Sequence, residues 1–330
     1  MYISGRLNKS EKRASKAPNF KTKESEKMFE LIKLKGNTYY IDTPTKIGLY
    51  NYSENNAVLI DTGNDSRIAK RVLKAVRESG FNITAVFCTH CHADHVGGNA
   101  YIKENSSCRI FCPKIECEAL CFPLLNPIML YGAYPPKELK RHFFLAEPNN
   151  AEFLCDDVLP KGLSYFALPG HTMGMVGYRT DDGVYFLADS IVSETILQKS
   201  YITYLISPKL YLETIDGFKN LPEGIYVPSH NEPLYTKAQL LSLSQSNVES
   251  VNGIANDILE KLSAPMPVEK LLKALLDDRN MSCDFSALSM IGSAVRSYLS
   301  YLQDSGAVTA DCSKNKIYWQ RVDGFSKKHE

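Results

Sequence analysis

The stretch Thr89–Gly98, which reads THCHADHVGG, decides how this sequence is interpreted. Three histidines and one aspartate fall within six positions, at His90, His92, Asp94 and His95. Histidine and aspartate are common zinc ligands, and four of them in one short run are not expected from a chance surface pattern. The run follows the apolar segment ITAVFC, and α/β proteins place their sites at the carboxyl ends of strands. The stretch therefore predicts a metal site on a loop that follows a buried strand.

Four further polar residues stand in matching positions, each directly after an apolar run that is typical of a strand. They are Asp61 in AVLIDTG, His171 in ALPGHTMG, Asp189 in VYFLADS and His230 in IYVPSHN. A single histidine of this kind is most often a hydrogen-bonded structural residue. Five of the seven histidines in such positions, accompanied by carboxylates, favour a metal centre instead.

Around these residues the chain alternates between strand-like and helix-like segments. The segments rich in β-branched and aromatic residues are NTYYID (37–42), AVLI (57–60), ITAVFC (83–88), LSYFAL (163–168), VYFLA (184–188) and IYVP (225–228). Residues 64–80 carry apolar side chains at helical spacing and end at Gly80. This alternation predicts a mixed α/β layered domain, which we place at residues 28–240.

Two regions depart from that alternation. Residues 113–148 include the apolar, Pro-rich stretch LCFPLLNPIMLYGAYPP, which is typical of a substrate wall or lid and equally of a packing or dimer surface. We expect Tyr131 and Tyr134, or their neighbours, to border the mouth of the pocket. Residues 241–330 carry three helical patterns and a closing hairpin, an order that suggests a winged-helix-like domain.

The charge of each region limits the classes of partner. The 330 residues carry a net charge of +1, with 44% apolar and 23% charged residues, as in a globular protein of about two domains. Residues 1–27 hold eight basic and three acidic residues and predict a basic disordered tail. Residues 251–330 hold ten of each, which argues against binding of duplex nucleic acid. We expect this region to pack against the α/β domain or a second subunit and to help wall the site, which leaves a homodimer open.

The remaining features concern compartment and chemistry. No run is apolar enough to span a membrane, the N-terminus lacks the apolar core of a secretory signal, and nine cysteines favour reduced thiols. We therefore expect a cytoplasmic protein without membrane contact. Cys91 is interpreted as packing filler, with a redox response as the alternative. His142 and His329 match no motif and are expected at the surface.

The order of Asp61, the H-x-H-x-D-H run from His90 to His95, His171, Asp189 and His230 resembles the five motifs of the metallo-β-lactamase superfamily. The resemblance covers roughly residues 30 to 235 and implies an α/β fold, an αββα sandwich with its site at one edge of the two sheets. The C-terminal region resembles, by helix pattern alone, the winged-helix appendage of a glyoxalase II-like branch that includes some endoribonucleases.

The same resemblance implies a role for each motif residue. The implied ligands of a first metal are His90, His92 and His171. The implied ligands of a second metal are Asp94, His95 and His230. Asp189 would bridge the two ions, and Asp61 would orient the site by hydrogen bonds, so we place Asp61 with Asp94 among the candidate catalytic residues. The implied cofactors are two Zn²⁺ ions, although iron or manganese also suits such ligands.

Four functions are compatible with this site. The first is hydrolysis of a thioester, ester or lactone-type acyl substrate by a metal-bound hydroxide, and the second is phosphodiester or RNA cleavage. The third is a mononuclear iron oxygenase of the persulfide dioxygenase type, and the fourth is a non-catalytic sensor. A net charge of −4 over residues 28–250 and the aromatic insertion favour a small acyl substrate over nucleic acid. The complete ligand set disfavours the last two functions.

Overall fold

The protein is described from a computed structural model that covers residues 6–7, 29–230, 234–313 and 315–323. Within these residues two β-sheets pack face to face, and helices cover the outer face of each sheet. Successive side chains of one strand show how the layers form, because they point to opposite faces of the sheet. Val58 and Ile60 enter the core between the sheets, whereas Ala57 and Leu59 enter the core beneath the helices. The predicted αββα sandwich is confirmed.

The first sheet has seven strands in sequence order. They are β2 (Leu31–Lys35), β3 (Thr38–Ile41), β4 (Ile47–Ser53), β5 (Asn56–Ile60), β6 (Asn82–Phe87), β7 (Arg109–Cys112) and β8 (Glu152–Phe153). Strands β2 to β5 pair antiparallel, and β5 to β8 pair parallel. The parallel pairing places the carboxyl ends of β5 and β6 at one edge of the sheet.

The second sheet has four strands in the order β12-β11-β10-β9. They are β9 (Leu163–Ala167), β10 (Val176–Thr180), β11 (Val184–Ala188) and β12 (Ile225–Pro228). Strands β9, β10 and β11 are antiparallel neighbours, while β12 joins β11 in parallel. The carboxyl ends of β11 and β12 therefore lie side by side.

Helices α1 (Ser66–Glu78), α2 (Ala93–Val96) and α3 (Asn99–Ser106) follow strands of the first sheet. The helix predicted at 64–80 is confirmed as α1, which Asp65 caps by accepting hydrogen bonds from Arg67 N and Ile68 N. Gly97 and Gly98 separate α2 from α3 where the chain passes close to another segment. A Cβ at Gly97 would stand 2.0 Å from the Asn64 carbonyl oxygen, so this position leaves no room for a side chain.

The insertion folds as α4 (Lys114–Cys121), α5 (Leu125–Tyr131) and a short 3₁₀ turn at Lys137–Leu139. The outer layer of the second sheet contains α6 (Glu194–Lys199) and α7 (Pro208–Gly217). The C-terminal region adds α8 (Lys237–Lys261), α9 (Val268–Asp277), α10 (Phe285–Asp304) and the hairpin β14 (Val308–Ser313) and β15 (Lys316–Arg321). Three helices followed by a hairpin match the predicted order, and the winged-helix assignment itself remains a prediction.

The C-terminal helices share one apolar core with the second sheet. Leu187 and Tyr226 of the sheet belong to the same buried cluster as Ile254 of α8 and Tyr298 of α10. Met290 of α10 also packs against buried residues of the insertion, namely Leu130, Leu139 and Phe144. The C-terminal region therefore packs on the α/β layers, and the boundary predicted between residues 240 and 241 lies inside α8.

The N-terminal tail is described only at β1 (Arg6–Leu7), which pairs antiparallel with β13 (Met281–Ser282). The rest of the predicted tail, and His329, lie outside the described residues. Among the helices of the described part, none has the length and apolar character needed to cross a membrane.

Candidate metal centre

Strand ends of both sheets bring all eight predicted site residues to one edge of the sandwich. Asp61 follows β5, and the run His90–His95 follows β6. His171 lies on the loop between β9 and β10, Asp189 directly follows β11, and His230 lies two residues beyond the end of β12. Seven of the eight are buried, and His230 is partly buried. The structure thus places these residues near one another, and their roles as ligands stay a prediction.

Three histidines form one group of donors, which we call the three-histidine group: His90, His92 and His171. His92 Nδ1 lies 3.1 Å from His90 Nε2 and 3.0 Å from His171 Nε2. Three ring nitrogens that face one another at this spacing are suited to surround a single cation.

The remaining four residues form a second group, which we call the carboxylate group: Asp94, His95, Asp189 and His230. His230 Nε2 lies 3.3 Å from Asp94 Oδ2 and 3.3 Å from Asp189 Oδ1. Asp189 Oδ1 is also 3.3 Å from His95 Nε2, while its Oδ2 lies 3.4 Å from His171 Nε2. Asp189 therefore contacts donors of both groups.

The outward-facing nitrogens of these rings are held by neighbouring oxygens. His90 Nδ1 lies 3.0 Å from Thr89 Oγ1, and His171 Nδ1 lies 3.2 Å from the Tyr204 carbonyl oxygen. His230 Nδ1 lies 3.0 Å from the Pro44 carbonyl oxygen. A ring that donates from Nδ1 to a carbonyl carries its lone pair on Nε2, so these contacts aim the lone pairs of His171 and His230 into the site.

Asp61 supports the site from behind. Its Oδ2 lies 2.7 Å from His95 Nδ1 and accepts a hydrogen bond of 2.8 Å from Thr89 Oγ1, while its Oδ1 accepts one of 2.8 Å from Thr89 N. Asp61 has φ +64°, and Ala188, just before Asp189, has φ +51°. This left-handed conformation is costly for residues other than glycine, and such strain is often found at functional sites.

The two groups differ in their protonation. Burial lowers the pKa of His90, His92 and His171 well below 6.5, assisted in each case by repulsion from other histidines of the site. Burial also acts on His95, but Asp189, Asp61 and Asp94 outweigh it and raise the pKa of His95 well above 6.5. Despite the effect of burial, nearby positive charge, including that of the site histidines, holds the pKa of Asp94 and Asp189 well below 3.8. Neutral imidazoles and charged carboxylates are the forms that bind metal.

Two buried atoms support a cation at this position. Asp94 Oδ1 has no hydrogen-bond partner within the described part of the chain, and His95 Nε2 meets only carboxylate oxygens, those of Asp189 at 3.3 Å and Asp94 at 3.9 Å. A buried polar atom without a partner is costly, and a metal ion would satisfy both. Within each group the donor atoms lie within 4.8 Å of one another. The residues present therefore fit a divalent metal cofactor.

A cavity of about 140 Å³, which we call the side cavity, opens beside His92. Its walls include Cys91, Leu125, Met129 and Ile206. A smaller pocket next to it reaches His92 past Leu130, Phe144 and Tyr204. The insertion therefore borders the site through neighbours of Tyr131 and Tyr134.

The two tyrosines themselves point elsewhere. The ring of Tyr131 lies 6.2 Å from that of Phe285 in α10, and Tyr134 is 70% exposed beside Lys140. His142 is exposed, as expected. Burial and the neighbouring Glu116 raise the pKa of the Cys91 thiol well above its usual value, which supports packing over redox chemistry.

Sequence reasoning missed Glu116, Asn126 and Tyr204, which surround the ligand loops. Glu116 accepts a hydrogen bond from Cys91 N, and Asn126 Nδ2 donates to the Cys91 carbonyl oxygen at 2.9 Å. No motif marks these residues. The burial of Glu116 is visible only in the structure.

Comparison with known proteins places the chain in a family context. The family model described as the metallo-beta-lactamase superfamily matches residues 35–230. The hydroxyacylglutathione hydrolase of Rhizobium etli is 32% identical over 121 residues, which is 36% of this chain and 38% of that protein. The hydroxyacylglutathione hydrolase of Crocosphaera subtropica is 27% identical over 183 residues, which is 53% of this chain and 59% of that protein. The chain thus spans between two fifths and three fifths of the length of these relatives.

Solved structures extend the similarity to the C-terminal region. A beta-lactamase domain protein from Burkholderia ambifaria has a TM-score of 0.68 at 16% identity, covering 89% of this chain and 94% of that one. A metallo-beta-lactamase family protein from Thermus thermophilus has a TM-score of 0.63 at 20% identity, covering 86% of this chain and 99% of that one. These similarities concern the fold.

Proposed function

The chain belongs to the metallo-beta-lactamase superfamily, and from this membership we propose that it is a hydrolase with two zinc ions that cleaves a small acyl substrate, with thioesters as the leading class. One observation carries the proposal. Two groups of buried donors lie side by side, and Asp189 contacts both of them.

Each donor group would hold one ion. The residues that would hold the first ion are His90, His92 and His171, and those that would hold the second are Asp94, His95 and His230. Asp189 would contribute to both sites, because Oδ1 lies against His95 and His230 while Oδ2 lies against His171. Imidazole and carboxylate donors suit zinc, and they also suit iron or manganese.

The chemistry divides between the ions and the chain. Zinc ions bound here would lower the pKa of a water toward neutrality and stabilise negative charge on a substrate oxygen. Asp94 would use its buried Oδ1, which has no hydrogen-bond partner among the described residues, to help hold the second ion. Asp61 holds His95 in place through the 2.7 Å contact to Nδ1.

The lining of the side cavity supports an acyl substrate. Apolar side chains dominate its walls, and no Lys or Arg belongs to the lining that the structure describes. Phosphodiester and RNA substrates need cationic side chains near the site, whereas a small organic acyl group needs apolar walls. The printed names of the relatives are those of hydroxyacylglutathione hydrolases, which agrees with an acyl substrate.

The test is metal analysis of the purified full chain together with a panel of thioester, lactone, phosphodiester and RNA substrates. We expect close to two zinc ions per chain and turnover of a thioester that is lost on chelation and restored by zinc. One iron per chain would indicate the oxygenase alternative instead, and cleavage confined to phosphodiesters or RNA would reject the acyl assignment.

Expectations about partners can be tested in parallel. We propose that the C-terminal region supports the site wall through Met290 and does not bind nucleic acid. Fluorescence anisotropy of the full chain with duplex DNA and RNA at low salt should show no sub-micromolar binding. Salt-sensitive binding in that range would contradict the proposal. A homodimer and a cytoplasmic location remain predictions that sedimentation and fractionation can check.

A further inference from the structure

We propose that Glu116 is a positioning residue that links the His92 loop to the His171 loop and thereby sets the metal affinity of the three-histidine group. This inference rests on the proposed function, since it concerns one of the two donor groups assigned to ions there.

The contacts of Glu116 reach both loops. Glu116 lies in α4 and is only 3% exposed. Its Oε1 accepts hydrogen bonds from Thr172 Oγ1 and Gly174 N, each of 2.8 Å. Its Oε2 accepts a hydrogen bond of 3.2 Å from Cys91 N. One buried carboxylate therefore joins three donors from two segments that are distant in sequence.

These two segments carry the donors that must meet. Cys91 stands between two ligand histidines, and Thr172 directly follows His171. Across the gap, His92 Nδ1 and His171 Nε2 lie 3.0 Å apart. His95 and His230 are held by other oxygens, those of Asp61 and Pro44. Loss of the Glu116 link should therefore weaken the three-histidine group more than the carboxylate group.

The carboxylate chemistry is specific. An amide offers one acceptor oxygen and one NH₂ group, which can only donate. In Glu116→Gln either Cys91 N or Gly174 N would face that NH₂ group, so one backbone N–H loses its acceptor whichever way the amide turns. The size of the side chain hardly changes.

Gly174 offers a second way to break the link. A Cβ at Gly174 would stand 2.9 Å from Ile115 Cβ and 3.0 Å from Glu116 Oε1. Gly174→Ala should therefore push the His171 loop away from α4 while leaving the carboxylate intact. Thr172→Val removes only the hydroxyl donor, and Thr172→Ser keeps that donor and should restore the wild-type behaviour.

The first measurement uses the full chain without metal. Hydrogen exchange of the segments around Cys91 and Gly174 should be faster in Glu116→Gln than in wild type. Glu118→Gln is the matched control, because it makes the same change on the exposed side of the same helix. Exchange in Glu118→Gln should match wild type at both segments.

The second measurement is a zinc titration against a competing chelator. In Glu116→Gln we expect one of the two equivalents to bind about 10–100-fold more weakly, the usual effect of losing a group that orients ligands, with the other little changed. Cobalt spectra of the two equivalents would identify the weakened site.

Each outcome is decisive for the proposal. Equal weakening of both equivalents, or exchange and affinity like those of Glu118→Gln, would overturn the role of Glu116. Binding of fewer than two ions by wild type would contradict the proposed function instead. In that case the comparison of exchange in the metal-free proteins still decides whether Glu116 links the loops.

Discussion

The three-histidine group and the carboxylate group lie within one site, yet the pKa values of their histidines shift in opposite directions. In the first group no carboxylate stands among the donors, and burial keeps the pKa of the imidazoles low. In the second group buried carboxylates raise the pKa of His95 and His230. The difference shows that one edge of a sandwich can offer a neutral site and an anionic site only a few ångströms apart. Asp189 contacts histidines of both groups. Substitutions that affect one group more than the other therefore test whether the two groups differ as described.

The largest effect is expected for Asp189→Ala, because this side chain contacts donors of both groups. Both metal equivalents should be weakened, and hydrolysis should fall by more than the roughly 100-fold typical of a group behind the ligands. Metal analysis and kinetics on the same preparation would measure this, with the exposed His142→Ala as the control. Two retained ions and full turnover would show that Asp189 does not bridge.

A smaller and one-sided effect is expected for Asp61→Asn. Asparagine tolerates the left-handed backbone at this position, but its amide has a single acceptor oxygen. When that oxygen keeps the hydrogen bond from Thr89 N, the NH₂ group faces His95 Nδ1 and cannot accept from it. We expect the affinity of the carboxylate group for metal to fall about 10–100-fold. A chelator titration that finds the three-histidine group more affected would contradict the assignment.

In the metal-free protein, histidines of the two groups should change the folding stability with pH in opposite directions. In the folded protein the pKa of His171 lies below the usual 6.5, so the unfolded chain binds a proton at this residue more readily. The free energy of unfolding therefore decreases as the pH falls below about 6.5. In the folded protein the pKa of His95 is raised, so the folded chain binds a proton at this residue more readily. Protonated His95 therefore adds to the free energy of unfolding below about pH 6.5, and this stabilisation is lost as the pH rises through the folded pKa.

Variants of His171 and His95 test these opposite changes in stability with pH. Between about pH 7.5 and 5.5, His171→Gln should reduce the acid-induced loss of stability, and His95→Gln should increase it. Each unit of pKa difference corresponds to about 1.4 kcal/mol. Urea unfolding of both variants at several pH values, with chelator present, would measure the change. The same direction in both variants would refute the contrast between the groups.

The smallest effect concerns the side cavity, which lies on the side of the three-histidine group. Met129→Ala shortens one wall and should raise KM by roughly fivefold, about 1 kcal/mol, with little change in kcat. Tyr134→Ser alters an exposed ring of the same insertion and should change stability by less than about 0.5 kcal/mol and leave KM alone. A larger increase in KM for Tyr134→Ser than for Met129→Ala would show that the substrate does not bind in this cavity.

The grouping of the candidate donors could be predicted because His and Asp residues at strand ends leave a local pattern. An apolar run followed by His or Asp is readable wherever it occurs, and the parallel pairing of β5 with β6 and of β11 with β12 brings such ends together. The helix at residues 64–80 was readable for the same reason, since its apolar spacing and its end at Gly80 are both local.

Features that depend on remote contacts could not be predicted. Glu116 accepts hydrogen bonds from donors more than twenty residues before it and more than fifty residues after it. No local sequence pattern indicates such a link. The composition of the insertion was equally compatible with a site wall and a packing surface, and which of its residues take each role depends on how α5 packs against α10. Tyr131 lies against Phe285, whereas Leu125 and Met129 line the side cavity. The left-handed backbone at Ala188 coincides with the register shift where β11 meets β12, which depends on the pairing of two remote segments.

The parallel pairing of β12 with β11 also has a consequence for the order of folding. His230 is carried by this last strand of the sandwich, and its Nδ1 contacts the carbonyl oxygen of Pro44, 186 positions earlier in the chain. Contacts between such distant segments form slowly, because the entropy cost of closing a long loop must be met before the contacts can stabilise the chain. The three-histidine group is complete once the loop after β9 is in place, whereas the carboxylate group waits for β12. If each group holds one zinc ion, as proposed, a refolding chain should bind the two ions in sequence, with zinc supplied early occupying the three-histidine group first.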